Sequence, residues 1–176
     1  VDIYNLHGIE AMTNLERLIM SRVTLRSPSD CNLSANKKLR NITFTFCWTD
    51  VSSSNGVYSL PNFCGLPALD TLCINHHNYG TEEYSTNQFG GLSGTFDAST
   101  VPHLKRLSLA GNRLTGITGL DQLTRLEYLD LRGNMLTNID ATGLQRASIY
   151  VGQQYYKYSG RIFKLYDSGN KTWTTL

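Results

Sequence analysis

The chain of 176 residues contains no apolar run approaching the roughly 18 residues of a membrane-spanning helix, so no membrane span is expected. It also has no basic-then-apolar segment of signal-peptide type. An excess of one charge is missing too: 16 Lys and Arg against 14 Asp and Glu leave a formal net charge of +2. That is too little for the basic field of non-specific nucleic-acid binding, and nucleic acid is set aside as a partner. The four cysteines, Cys31, Cys47, Cys64 and Cys73, show no C-x-x-C spacing and no paired histidines, which argues against zinc. No G-x-S-x-G elbow, H-E-x-x-H pair or phosphate-cradling glycine loop occurs. No cofactor, metal or enzymatic activity is therefore expected. A nucleophile pairing Cys73 with His76 or His77 can be drawn, but nothing supplies an oxyanion hole or an orienting third group. Adjacent histidines on a strand point to opposite faces, which favours a structural or loop role over metal ligation.

What the chain does contain is a repeat. Leu104, Leu107, Leu109, Asn112, Leu114 and Ile117 recur 22 positions later as Leu126, Leu129, Leu131, Asn134, Leu136 and Ile139. The spacing L-x-x-L-x-L-x-x-N-x-L is the leucine-rich repeat signature. It predicts an α/β-class solenoid with a parallel concave β-sheet, a convex side of short 3-10 or irregular segments, and a β C-terminal cap. The same 3-then-2 spacing appears at Leu15, Leu18 and Met20, at Leu39, Ile42 and Phe44, and at Leu69, Leu72 and Ile74, giving five visible coils. The two middle steps, Leu39 to Leu69 and Leu69 to Leu104, exceed the usual length of about 20 to 29 residues. Their extra residues, from Thr49 to Leu60 and from Tyr79 to Phe96, are rich in Ser, Asn, Gly, Thr and Tyr and read as loops, either binding features or tolerated insertions. The stretch 88–96, QFGGLSGTF, reads as a small irregular turn.

Alternation along each strand sends the leucines inward and their neighbours to the concave face. The outward set is Arg17, Ile19 and Ser21; Asn41, Thr43 and Thr45; Thr71, Cys73 and Asn75; Arg106, Ser108 and Ala110; Tyr128, Asp130 and Arg132. From it the candidate ligand-binding residues are Arg17, Asn41, Thr43, Thr71, Asn75, Arg106, Tyr128, Asp130 and Arg132. Arg106, Tyr128, Asp130 and Arg132 form the expected centre, because Tyr and Arg are enriched among interface hot spots. Asn112 and Asn134 are expected to turn inward and hydrogen-bond backbone groups of adjacent coils. Val23, Cys47 and His77 hold that slot elsewhere, so the early coils should be less regular.

Two domains are expected: the solenoid over 1–147 and the cap over 148–176, with one more short alternating strand signalled by Ile149 and Val151. The tail carries Tyr155, Tyr156, Tyr158, Phe163, Tyr166 and Trp173 and a hairpin signal at 167–170, DSGN. Its aromatics would cover the last leucine layer or offer a platform to a ligand such as sugar. At the other end Val1 falls in the slot of Asn112, halfway through a repeat, so sequence upstream is expected to have been removed or processed. Cys31 and Cys64 fall on the strand-entry side of neighbouring coils and are the best disulfide candidates in an oxidising compartment, with free thiols as the alternative.

The phrases LHGIEAMTNLERL (6–18) and ITGLDQLTRLEYLDLRGNMLTNID (117–140) resemble the 22-residue repeat class of the bacterial internalins and their relatives. The resemblance implies a secreted or surface-attached bacterial protein whose concave face holds a host or neighbouring-cell ligand, protein or glycan. The tail departs from the immunoglobulin-like domain that follows internalin repeats, and ligand identity does not carry over. The same repeat class also occurs in cytosolic phosphatase regulators, which makes an intracellular scaffold, located in the cytoplasm, the alternative.

Overall fold

A computed structural model describes residues 2–25, 32–45, 47–49, 63–76, 92–152, 154, 164–167 and 172–175. In chain order the strands among them are β1 (Asp2–Ile3), β2 (Arg17–Ser21), β3 (Thr24–Leu25), β4 (Asn41–Thr45), β5 (Trp48–Thr49), β6 (Thr71–Asn75) and β7 (Ser93–Asp97). There follow β8 (Arg106–Ser108), β9 (Arg113–Thr118), β10 (Tyr128–Asp130), β11 (Asn138–Ile139), β12 (Ser148–Tyr150), β13 (Lys164–Asp167) and β14 (Thr172–Thr175).

The leucine spacing produces one all-parallel sheet, β2, β4, β6, β8, β10 and β12 side by side in chain order. This is the leucine-rich repeat solenoid. Within the strands the alternate side chains Ile42 and Phe44, Leu72 and Ile74, Leu107 and Leu129 point inward and are buried, while their neighbours are more exposed. Leu39, Leu69, Leu104 and Leu126, two residues ahead of β4, β6, β8 and β10, complete the layers of those coils and are at most 2% exposed. Truncating such a leucine to alanine costs about 2 to 5 kcal/mol.

After each concave strand the chain turns and stacks a second, smaller set of ladders. These are β1, β3 and β5, then β7 with β9, then β11, β13 and β14. Short 3-10 turns at Ile9–Ala11, Ala98–Thr100 and Leu120–Gln122 carry the chain back, and no α-helix occurs among the described residues. The coils approach closely at Gly119, whose φ is +70°; a Cβ there would lie 2.5 Å from the Ser99 backbone nitrogen, so only glycine fits.

Two expectations change. Residues 93–97 form strand β7, paired with β9, and not an irregular turn. The reason is that Leu92 N donates to Asn112 Oδ1 and Arg113 N donates to Leu92 O, which ties this segment to the next coil. In addition, the short strand signalled by Ile149 and Val151 beyond the five visible coils is the sixth strand of the sheet. β12 pairs with β10 in register Leu129 to Ile149, so residues 148–150 belong to the concave sheet. Beyond it, β13 pairs parallel with β11 and antiparallel with β14 as a hairpin. The inserted loops at 50–62 and 77–91, residues Cys31, His77, Tyr155, Tyr156, Tyr158 and Phe163, the hairpin tip, and the side chains of Tyr166 and Trp173 lie outside the described residues.

The corners after β8, β10 and β12 are held by carboxamides. Asn134 Nδ2 donates to Leu109 O (2.9 Å) and Leu131 O (2.8 Å), and its Oδ1 accepts from Leu114 N (3.1 Å). Asn112 repeats this with Ile74 O, Leu109 O and Leu92 N. Gln154 does so one coil later with Leu131 O, Val151 O and Leu136 N. Replacing Asn134 by Ala strands buried backbone groups on two coils, at about 1 to 3 kcal/mol for each group left unpaired. Asn134→Ala should therefore lower the urea midpoint strongly, whereas Gln154→Ala, at a half-buried corner near the end of the sheet, should lower it less; equilibrium denaturation followed by far-UV circular dichroism measures both.

Candidate functional site

The parallel register sorts the concave face into rows that run across the strands. The first row is Arg17, Asn41, Thr71, Arg106, Tyr128 and Ser148. The second is Ile19, Thr43, Cys73, Ser108, Asp130 and Tyr150. Ser21, Thr45 and Asn75 begin the third, and Ala110 and Arg132 continue along the same side of the strip. Strands in a sheet lie about 4.8 Å apart, so neighbours in a row touch even when they are twenty or more positions apart in the chain.

The nine candidate residues take three kinds of place. Arg17 and Arg106 are exposed, while Asn41, Thr43, Thr71 and Asn75 are half-buried. Thr43 Oγ1 donates to Asn41 Oδ1 at 2.8 Å. Asn75 Oδ1 accepts from Ser108 Oγ (2.8 Å) and Ala110 N (3.1 Å), so Asn75 covers the next coil and leaves Ser108 and Ala110 buried on a face expected to be open. Tyr128, Asp130 and Arg132, by contrast, form one packed unit with Arg106 and with Tyr150, which the sequence reading had not included.

Arg106 lays its guanidinium over the Tyr128 ring, 3.6 Å from Cζ to the ring centroid. The Tyr128 and Tyr150 rings follow at 5.3 Å, tilted by 40°, and Arg132 sits over Tyr150 at 5.4 Å. Beneath them lies Asp130, only 4% exposed. Arg132 grips it with two N–H donors, Nε to Oδ1 at 2.9 Å and Nη2 to Oδ2 at 2.6 Å, and Tyr128 Oη donates to Oδ2 at 3.2 Å. Each contact of a guanidinium with an aromatic face contributes about 0.5 to 1 kcal/mol when exposed. Bidentate pairing with a carboxylate adds geometric fixity as well as energy.

Electrostatics follows from this packing. Burial pushes the Asp130 carboxyl up, but hydrogen bonds and charge from Arg132, together with the Tyr128 hydroxyl, outweigh it and hold the group below the ordinary carboxylate range. Burial, seconded by the Asp130 charge, pushes the Tyr128 phenol up. Cys73 is also pushed up, chiefly by burial, although the Arg106 and Thr43 side chains hydrogen-bond its sulfur. Its thiol is thus kept protonated, the opposite of what an activated nucleophile needs. Burial lowers the basicity of His76 in the same way, and its backbone N–H donates to Ala110 O.

Sequence reasoning missed Tyr150 and Gln154 for one reason. In the last coil Ala147 N donates to Leu144 O as Leu126 N does to Leu123 O, so alanine holds the leucine slot one residue early, and the register pairs Ser148 with Tyr128, two residues earlier than the repeat spacing predicts. A carboxamide five positions after Ile149, as Asn134 is five after Leu129, was the signal that could have found the coil. Asn36 was missed too: fully buried where other coils carry Leu or Val, it donates from Nδ2 to Ile9 O (2.8 Å) and Met12 O (2.9 Å).

The family model described as Leucine Rich repeats (2 copies) matches residues 102–145, the fourth and fifth coils. No curated protein matches the chain.

The depressed Asp130 value makes stability depend on pH with a definite sign. Stabilisation is present above the unfolded aspartate value of about 3.9 and is lost as pH falls through the lower folded value. Asp130→Asn should therefore be less stable than the native chain at pH 7, by roughly 1 to 3 kcal/mol for the lost charged hydrogen bonds. The gap should narrow below about pH 4, as urea titrations at stepped pH would record. Iodoacetamide should alkylate Cys73 and Cys47, both raised by burial, more slowly at pH 7.5 than an unfolded control.

Proposed function

We propose that this chain is a non-enzymatic recognition module that binds a protein ligand on its concave face. The observation that carries the reading is the Arg106, Tyr128, Tyr150 and Arg132 stack over buried Asp130. Two arginines and two tyrosines, the side chains richest in interface binding energy, stand together on a rigid sheet with their rotamers held in advance. Ordering a flexible side chain on binding costs about 0.5 to 1.5 kcal/mol, and this stack avoids much of that cost. A leucine-rich repeat generally mediates protein–protein interaction, which supports the same reading.

The internalin-like phrasing of 6–18 and 117–140 supports an adhesin exported to, or attached at, a bacterial cell surface. Cys47 and Cys73 are free thiols, the one observation that favours a cytosolic scaffold. Both are shielded by burial and tolerate either compartment. Protease shaving of intact source cells separates the two: release of the chain supports the surface reading, and full retention overturns it.

Binding itself is tested by affinity capture from the source and its host or neighbouring cells, using the native chain and a variant with Arg106, Tyr128, Asp130 and Arg132 all replaced by Ala. Proteins held by the native chain should be lost from the variant once both are shown to be folded at the working temperature. Equal capture by both would overturn the concave face as the site, and capture of glycan alone would overturn a protein ligand.

A further inference from the structure

Two arginines on the first concave row stand apart from the other charges of the sheet. Arg132 is neutralised by Asp130, and Arg40, just before β4, faces Asp70 at 3.9 Å. Arg17 and Arg106 are exposed, and neither is paired with a carboxylate among the described residues. They are three strands apart in one row, with Asn41 and Thr71 between them.

We propose that the row Arg17, Asn41, Thr71 and Arg106 seats an extended acidic segment of the protein partner through two carboxylates four residues apart. The inference rests on the recognition reading above and adds the chemistry of the ligand.

The spacing comes from sheet geometry. Three interstrand steps of about 4.8 Å place the two arginine backbones roughly 14 Å apart. An extended chain rises about 3.4 Å per residue, so a segment crossing the strands covers that distance in roughly four residues. Side chains of such a segment alternate in direction, and positions i, i+2 and i+4 therefore share one face. With carboxylates at i and i+4 on Arg17 and Arg106, position i+2 falls over Asn41 and Thr71. A small hydroxyl or amide side chain suits that place.

Arg106 is the better prepared of the two seats. Stacking on Tyr128 occupies the flat face of the guanidinium; part of its N–H edge goes to the Cys73 sulfur, and the other N–H groups remain for a carboxylate. Charge alone does not select the ligand, because the residues just ahead of the strands alternate in sign: Glu16, Arg40, Asp70, Lys105 and Glu127. A uniformly acidic chain meets repulsion there, so the spacing of the carboxylates decides.

The test uses fluorescein-labelled peptides of equal net charge, built from Ser, Thr and Gly, with two glutamates separated by two, four or six positions. Anisotropy is read at low ionic strength against the native chain, Arg17→Gln and Arg106→Gln. The four-residue spacing should bind about fivefold tighter than the other two, the scale of one good exposed ion pair. Either substitution should erase that preference. Equal affinity for all three spacings, or no binding by any, would overturn the proposal. Arg17 lies outside the cluster altered in the capture experiment, so the two readings fail separately: if Arg17→Gln still retains a partner that the cluster variant loses, the acidic segment is wrong and the concave recognition site stands.

Discussion

The structure depends on what happens to backbone groups at the end of each concave strand. There the chain turns inward from the sheet, and carbonyls and amides of two neighbouring coils meet where water does not reach. Each buried group left unpaired costs about 1 to 3 kcal/mol, so a corner that supplies donors and an acceptor strengthens the stack. A carboxamide has both. Asn112, Asn134 and Gln154 place theirs so that the NH2 group bonds two carbonyls and the oxygen takes an amide of the preceding coil. The early coils lack this device. Val23 is buried in the slot, and Cys47 offers a long 3.7 Å contact to Thr45 O. Arg22 adopts φ 55° where Gly111 and Gly133 sit at 74° and 67°, a conformation that costs a non-glycine residue about 1 kcal/mol or more. The regular part of the solenoid is therefore its second half, and the stretch matched by the family model lies there.

Once the corners are held, the parallel register makes the concave face a lattice with fixed spacing. The strands share their hydrogen bonds, and the leucine layer behind them admits no rotation of one coil against the next. What differs from coil to coil is only the outward side chain, so chemical character on this surface is set row by row. The first row has polar groups between two exposed arginines; toward the last coils, aromatic rings and guanidinium groups gather into a stack. Asp130 governs that stack from below. Buried and ionised, it anchors Arg132 and the Tyr128 hydroxyl, and Arg132 in turn lies on Tyr150. Asp130, a candidate ligand contact in the sequence, is the buried group that fixes the Arg132 and Tyr128 side chains.

The periodic residues were legible because each obeys a rule local to one coil. Leucines at fixed offsets go inside, their neighbours go outside, and Asn112 and Asn134 turn back to the carbonyls as their positions predict. Irregular coils were less legible. Ala147 fills a leucine slot one residue early, so the short strand signalled by Ile149 and Val151 was not joined to the repeats, and Tyr150 and Gln154 were missed; Asn36 stands in a place where the pattern calls for an aliphatic residue. Ser108 and Ala110 were read as open because alternation puts them on the concave side; they are buried, and Asn75 reaches across from the neighbouring strand to bond both.

By itself, then, the amino-acid sequence determined the repeat, the parallel sheet and the list of outward positions, since all three follow from spacing along the chain and the alternation of a strand. Only the tertiary structure decided which of those positions act together. Arg106 and Tyr128, or Tyr128 and Tyr150, are 22 residues apart in sequence and in van der Waals or ring contact in space. Such contacts depend on the distance between strands and on the direction each side chain takes once its neighbours are in place, and neither quantity is written in the order of residues along one coil.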